Sequence, residues 1–403
     1  MELLGFILSV IAGLLILVFL VVVHELGHGI VARRNGVTVE EFGVGFPPFA
    51  WGRKVKNSIL GKNVLFSINW LPIGGFVKLK GEYDAASKKG DYGNASFWAK
   101  TKIILAGVAV NWLTAAAIFT ILALVGLPRI IPHQTYVPSD ADISKSTVTI
   151  GEVAKGLPAD KAGLKKGDTI TQITGGGACP ASVDVACDVD RADEIDSIVA
   201  VAKNNPGEML VVDYTRNGQE KQALLQNRTK EEATDGKGYM GISLAQDKPT
   251  TIRSTWSAPL VGVGVTGQLS WEIIKGLGDL LGKVGTGIVG NFTGDKVASR
   301  ELNQAGDSVA GPVGIVGKIL PSAVSAGIVP VLLITGILSV TLAVMNILPI
   351  PALDGGRWYL MAVFKLLKKP LTKDIEEQIN SYGMMFLLGL IAIITVTDVV
   401  KLF

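Results

Sequence analysis

Residues 3–28 read LLGFILSVIAGLLILVFLVVVHELGH, an uncharged run over 3–23 followed at once by His24, Glu25 and His28. About 20 apolar residues carry a helix across a bilayer core, so the run is long enough for a membrane span. It lacks a basic start, and no small-residue cleavage site follows it, which reads as a retained span rather than a signal peptide. Imidazole and carboxylate groups at membrane depth are costly unless paired or ligated. Positions i and i+4 share one helical face, so His24 and His28 can grip one metal ion while Glu25 stands beside them to handle protons.

Three more uncharged runs follow, at 103–128, 319–353 and 378–397. Residues 254–271 are also uncharged, but they are rich in Ser, Thr and Gly and run on into Glu272, Lys275, Asp279 and Lys283, the pattern of an interfacial amphipathic helix. The whole chain of 403 residues is 48% hydrophobic and 18% charged, with mean hydropathy +0.42. About 25% charged is usual for soluble domains, so the expected class is a polytopic α-helical membrane protein of about four spans. A net charge of +3 gives nucleic-acid binding no support. Residues 33–102 hold 12 Lys and Arg against 5 Asp and Glu, a balance of +7; residues 127–330 hold 20 against 23, a balance of −3. The positive-inside rule then puts the first connection in the cytoplasm, and the second connection and both termini outside.

Seven segments result: a first span with the histidine motif (1–36), a membrane-associated β region (37–100), a second span (101–128), a small α/β domain (147–245), the interfacial segment (252–318), a third span (319–356) and a fourth (378–403). The β region is broken by Pro47-Pro48 and Gly74-Gly75 and is dense in aromatic residues, as expected of a sheet dipping into the membrane interface. In the α/β domain, GLPADKAGLKKGDTITQI at 156–173 opens a short helix at Pro158, ends it at Gly163 and turns at Gly167-Asp168 into a strand. This resembles a bacterial PDZ domain. The resemblance implies a peptide-binding loop at Tyr239, Met240, Gly241 and Ile242; a fold that only fills space over the site is the competing reading. Cys179 and Cys187 lie eight apart without a nearby histidine, so zinc binding is not expected of them, and either a disulfide or two thiols remains open.

A catalytic zinc site needs a third protein ligand and an open position. The third run ends in NILPIPALDGG, 346–356, where Pro349 and Pro351 interrupt the helix and Gly355-Gly356 lets the chain turn. Irregular backbone at membrane depth is tolerated where it lines a protein cavity, which makes Asp354 the candidate.

HELGH, the GVAVN of 107–111, one PDZ-like domain and NILPIPALDGG together resemble the site-2 protease family of intramembrane zinc metalloproteases, nearest the bacterial regulator of sigma-E protease type. The resemblance covers nearly the whole chain, including Gly74-Gly75-Phe76. It implies an inner-membrane enzyme with one Zn2+ held by His24, His28 and Asp354 toward the cytoplasmic side, and Glu25 as general base. Asn346, Gly74, Gly75 and Phe76 would meet the substrate, and Asn111 would help hold the substrate or the active-site helices. Substrates would be single-span membrane proteins within the lipid bilayer, such as anti-sigma factors already trimmed outside or signal-peptide remnants. Relatives of this branch often carry two PDZ domains, and here there is room for one. The competing class is a non-catalytic PDZ adaptor with a structural metal site, against which stand the presence of Glu25 and the lack of a fourth protein ligand.

Overall fold

The computed structural model describes residues 2–83, 86, 88–144, 147–175, 195–235, 237–246, 250–293 and 311–402; Cys179 and Cys187 lie outside them. The chain divides into two compact units, residues 1–122 with 258–403, and residues 123–257.

In the first unit, α1 (Glu2–Arg34) carries the opening run and the histidine motif in one helix. The bent strands β1 (Val39–Ser58) and β2 (Gly61–Leu79) follow, then α2 (Phe97–Val125). β1 and β2 pair antiparallel, Val55 opposite Val64 near their turn and Val44 opposite Gly75 at the far end. Residues 41–44 also lie beside 65–68, with numbers rising together. The two strands therefore fold into four arms in the order 49–58, 61–69, 39–46, 75–79. At the bends, Phe46, Phe49, Trp51 and Trp70 are exposed, while Phe42, Val64 and Leu79 enter a core with Ala32, Ile103 and Met361.

After the second unit come α5 (Ala258–Thr293), α6 (Leu320–Ala326), α7 (Ile328–Ile347), α8 (Asp354–Leu366) and α9 (Lys373–Leu402). Among the described residues, four helical segments are long and apolar enough to cross a membrane: Leu4–Arg34, Phe97–Val125, Ile328–Ile347 and Lys373–Val396. The chain is a polytopic membrane protein with a β region. The 35-residue uncharged run of 319–353, long enough for one span with irregular backbone at its ends, holds one span-length helix, α7, which Gly327 at φ 110° separates from α6. Charge counting cannot see such a break. The Ser, Thr and Gly content of 254–271, which suggested a surface helix, forms a packing face against α2: Gly262 abuts Ala116 and Thr120, and Trp112 Nε1 donates to Ser270 Oγ at 3.3 Å. Small residues at 262, 266 and 270 permit that approach.

The second unit holds a five-stranded antiparallel sheet in the order β8 (Gln219–Gln226), β7 (Met209–Arg216), β6 (Thr169–Gly175), β5 (Val148–Val153), β9 (Ile242–Gln246). The helices α3 (Pro158–Lys161) and α4 (Ile195–Asn204) accompany it, with a core around Ile150, Ile173, Ile198, Leu210 and Leu225. The short strands β3 (Leu127–Pro128), β4 (Asp142–Ser144) and β10 (Thr251–Arg253) pair beside it in sequence.

Asp168 anchors this sheet. It accepts Arg216 Nε and Nη2 at 2.6 Å each and the Lys165 N–H at 2.7 Å. Burial raises its carboxyl pKa, but the Arg216 guanidinium outweighs that and holds it below the usual carboxylate range. A depressed folded pKa contributes stability that is full above the unfolded value near 3.9 and lost as pH falls through the folded one. Asp168→Asn is expected to cost about 2 kcal/mol at neutral pH, the scale of a hydrogen bond to a charged group, with the difference fading below about pH 4. Amide hydrogen exchange of β6 and β7 in the full chain measures it.

Candidate metal centre

The C-terminal part of α1 is clasped by α2 and the sheet. At Gly27 an added Cβ would lie 2.8 Å from the Ala106 carbonyl oxygen, so the two backbones approach closely there. On either side of Gly27, His24 and His28 are buried, and Asp354, the first residue of α8, meets them. His24 Nε2 and Asp354 Oδ2 are 3.0 Å apart, His28 Nε2 and Asp354 Oδ2 3.2 Å, and the two Nε2 atoms 3.1 Å. A tetrahedral zinc site with bonds of about 2.0–2.1 Å has ligand-to-ligand edges of about 3.3 Å. Asp354 Oδ2 is buried and, among the described residues, accepts no well-formed hydrogen bond. Three potential ligand atoms converging at these distances, one of them a buried carboxylate oxygen without a well-formed hydrogen bond, are what a cation satisfies, so this donor set fits zinc.

Neighbouring groups fix which ring nitrogen faces inward. His28 Nδ1 donates to the Ile103 carbonyl at 2.8 Å, which leaves Nε2 with its lone pair. Asn111 lies with its amide 3.3 Å from His24 Nδ1, and its Oδ1 is buried without a partner among the described residues. With the amide turned over, Oδ1 accepts His24 Nδ1–H and orients the second imidazole likewise. The Asn111 carbonyl accepts the Ser339 hydroxyl at 2.8 Å, tying α2 to α7. Gly107, one turn before Asn111, faces both imidazoles: a Cβ there would lie 2.6 Å from His24 Cε1 and 2.7 Å from His24 Nε2, and would press on His28 Nε2.

Glu25 Oε2 accepts the Val77 N–H at 3.1 Å, so the outer arm of the sheet holds this carboxylate. Gly75 sits beside the Glu25 side chain, Gly74 (φ 84°) packs against Phe46, and the Phe76 ring lies over Gly43. A cavity of about 210 Å³ is lined by His24, Glu25, Asn111, Leu342, Asn346 and Asp354 among others. Of the residues singled out in sequence, His24, Glu25, Asp354, Asn111 and Asn346 thus share one cavity, His28 adjoins it, and Gly75 borders Glu25. Tyr239, Met240, Gly241 and Ile242 belong to the second unit. There the carbonyls of Tyr239, Met240 and Gly241 accept from Arg228, Ala159 and Ala154, and Ile242 opens β9 opposite Val153.

Asp354 opens α8 instead of closing the third apolar helix, because the 348–353 turn reverses the chain between them. Ala352 in that turn has φ 73°, a conformation costing roughly 1–2 kcal/mol for an L-residue. Gly355 and Gly356 pack directly on the carbonyls of Ile347 and Ile350. One turn beyond Asp354, Arg357 donates to the Glu82 carbonyl, lies 3.3 Å from Glu376 Oε1 and stands over the Tyr92 ring at 4.5 Å. Trp358 Nε1 donates to Thr101 Oγ1 at 3.1 Å. These braces join α8 to the loop after β2, to α9 and to α2. Sequence reading missed them, since Glu82, Tyr92 and Thr101 lie more than 250 residues away and Glu376 stands on a different helix. Gly107 was within reach of it, because Gly107 and Asn111 stand at i and i+4 on one face of α2.

A family model described as peptidase family M50 matches residues 12–390. A protein of Clostridium acetobutylicum, provisionally named a zinc metalloprotease, is 29% identical over 400 residues, covering 97% of each chain. Zinc metalloprotease RasP of Geobacillus kaustophilus is 26% identical, covering 98% of both chains. Protease RseP of Yersinia pestis is 24% identical over 95% of this chain and 97% of its own.

Proposed function

The chain belongs to peptidase family M50, the site-2 protease family of zinc metalloendopeptidases, and on that premise we propose that it hydrolyses peptide bonds of single-span membrane proteins at His24, His28 and Asp354, with Glu25 as general base. The observation that carries this reading is the convergence of three lone-pair atoms at edges of 3.0–3.2 Å beside a carboxylate anchored by a backbone N–H.

His24, His28 and Asp354 would hold zinc, which when bound would supply a water nucleophile near neutral pH and a Lewis acid for the scissile carbonyl. Val77 fixes one oxygen of Glu25, and the second takes a proton from the attacking water and passes it to the leaving amine. Asn111 and the Ile103 carbonyl keep both imidazoles in the ligating tautomer. Asn346, which lines the same cavity, holds the substrate backbone by hydrogen bonds from its amide. A helical substrate hides its carbonyls, so it must be unwound. Residues 65–68 are paired on both sides, which leaves 49–58 and 75–79 as edges; the latter, next to Glu25, receives an extended segment, with Gly74, Gly75 and Phe76 in contact with it.

In this reading the enzyme is a multi-pass protein of the bacterial inner membrane with the zinc site toward the cytoplasm and both termini outside. The second unit is a PDZ-like domain that screens substrates by bulk or by their newly cut ends. Its support is the short helix from Pro158 to Lys161 and the turn at Gly163 (φ 79°). Anti-sigma factors already trimmed outside, or signal-peptide remnants, are the substrate class.

The test is reconstitution of the full chain in liposomes with a model single-span substrate. Chelation of zinc is expected to stop cleavage and zinc addition to restore it. Cleavage that continues in chain verified as metal-free by mass spectrometry overturns the reading.

A further inference from the structure

The first turn of α2 and the last turn of α8 enclose a second cavity of about 180 Å³, lined by Phe97, Lys100, Met361, Phe364, Lys365 and Lys369 among others. Its surroundings are those of a membrane surface. α2 is a candidate span, and the cavity lies at its first turn. On α8 the apolar residues Tyr359, Val363 and Leu366, spaced i, i+4, i+7, are exposed, Leu366 to 83%, while Met361 is buried. Trp98 beside the cavity is 69% exposed. Exposed Trp and Leu next to lysines mark a helix lying at headgroup level.

The cavity is cationic. Lys100 is only 6% exposed, so its side chain forms part of the wall, with Nζ 5.6 Å from the Tyr92 ring centroid. Lys365 Nζ lies 3.8 Å from the Phe97 ring centroid. Lys368 takes φ 54°, and the Lys369 N–H then donates back to the Phe364 carbonyl at 3.0 Å, a Schellman-type cap that returns Lys369 toward the cavity. Glu82 and Glu376 lie within ion-pair distance of Arg357, and Glu377 of Lys373; among the described residues no ion pair joins a carboxylate to Lys365 or Lys369. Lysines at a helix C-terminus also complement its dipole. That role, however, requires no apolar cavity beneath them.

We propose that this cleft binds the phosphate headgroup of an anionic phospholipid. Lys365 and Lys369 supply the charge, Lys100 the positive wall, and Phe97, Phe364 and Met361 the floor for the glycerol and first acyl carbons. The apolar floor separates this ligand from free phosphate, which has nothing to place there. The site is independent of the peptidase reading. It bears on the metal centre nonetheless, because α8 carries the lipid contacts at one end and Asp354 at the other.

The test uses the full chain in nanodiscs of equal phosphatidylglycerol and phosphatidylcholine, with the lipids that survive detergent extraction counted by native mass spectrometry. Wild type is expected to retain phosphatidylglycerol preferentially. In K365Q/K369Q that retention falls about thirtyfold, since each basic residue near an anionic surface contributes roughly fivefold. K365R/K369R keeps it. Retention without headgroup preference, or equal retention by the glutamine variant, overturns the proposal. Displacement of the lipid by inorganic phosphate as readily as by added phosphatidylglycerol assigns the cleft to free phosphate and overturns it as well.

Discussion

Gly107→Val is expected to leave the chain folded in the membrane and without zinc. The glycine stands where α2 passes both imidazoles, and even a Cβ would fall 2.6 Å from His24 Cε1 and 2.7 Å from His24 Nε2. Neither helix can retreat easily. α1 and α2 already approach backbone to backbone at Gly27 and Ala106, and α2 is also held by the Ser339 hydroxyl and by Gly262 of α5. The strain therefore falls on the rings, which swing away from Asp354. A displacement of about 1 Å takes a ligand beyond bonding range, because Zn–N bonds tolerate only about ±0.2 Å. Metal analysis of the purified variant is expected to find less than about a tenth of the wild-type zinc, with helicity by circular dichroism unchanged. Full zinc content in Gly107→Val would mean that His24 and His28 do not share a metal. Gly107→Ala should give an intermediate loss, since one methyl reaches the rings without the second branch.

How far this centre could be read from sequence depends on how local each part is. His24, Glu25 and His28 lie within two helical turns, where the 3.6-residue period alone determines which side chains meet. Asp354 could be nominated because two prolines and two glycines mark a backbone break in an apolar run. That it begins a helix could not be read, since the break is resolved by Gly355 and Gly356 packing on carbonyls several residues back. The four spans were legible from charge-free length. The division at Gly327 was not, since a glycine in an apolar run is equally compatible with a continuous helix. The β region illustrates the same limit: alternation and turn residues indicate strands, but the folding of two bent strands into four arms depends on a register that period-two patterning leaves open. Least legible were the braces on α8, where Arg357 meets Glu82 and Glu376 through tertiary packing alone.

Glu25→Gln is expected to remove cleavage while leaving zinc in place, which makes it the complement of Gly107→Val. Glutamine keeps the length and shape of glutamate, and its amide oxygen can still accept the Val77 N–H that now meets Glu25 Oε2 at 3.1 Å. None of the three ligating residues changes, so zinc content should match wild type. What disappears is a group able to take a proton from water and return it to the leaving amine. General acid–base contributions run to about 10⁴-fold, and one residue serves both transfers here, so a loss of about 10⁴-fold in kcat is expected with KM nearly unchanged. Glu25→Ala separates the two duties of this side chain. It also gives up the bond to Val77, so the outer arm of the sheet loses its tie to α1 and KM should rise as well if that arm receives the substrate. An unchanged KM in Glu25→Ala would detach strand addition from the 75–79 arm. Full activity in Glu25→Gln would remove Glu25 from proton transfer altogether. The pairing of zinc content with kcat in these variants thus separates a lost metal from a lost base, a distinction that an activity assay alone cannot make.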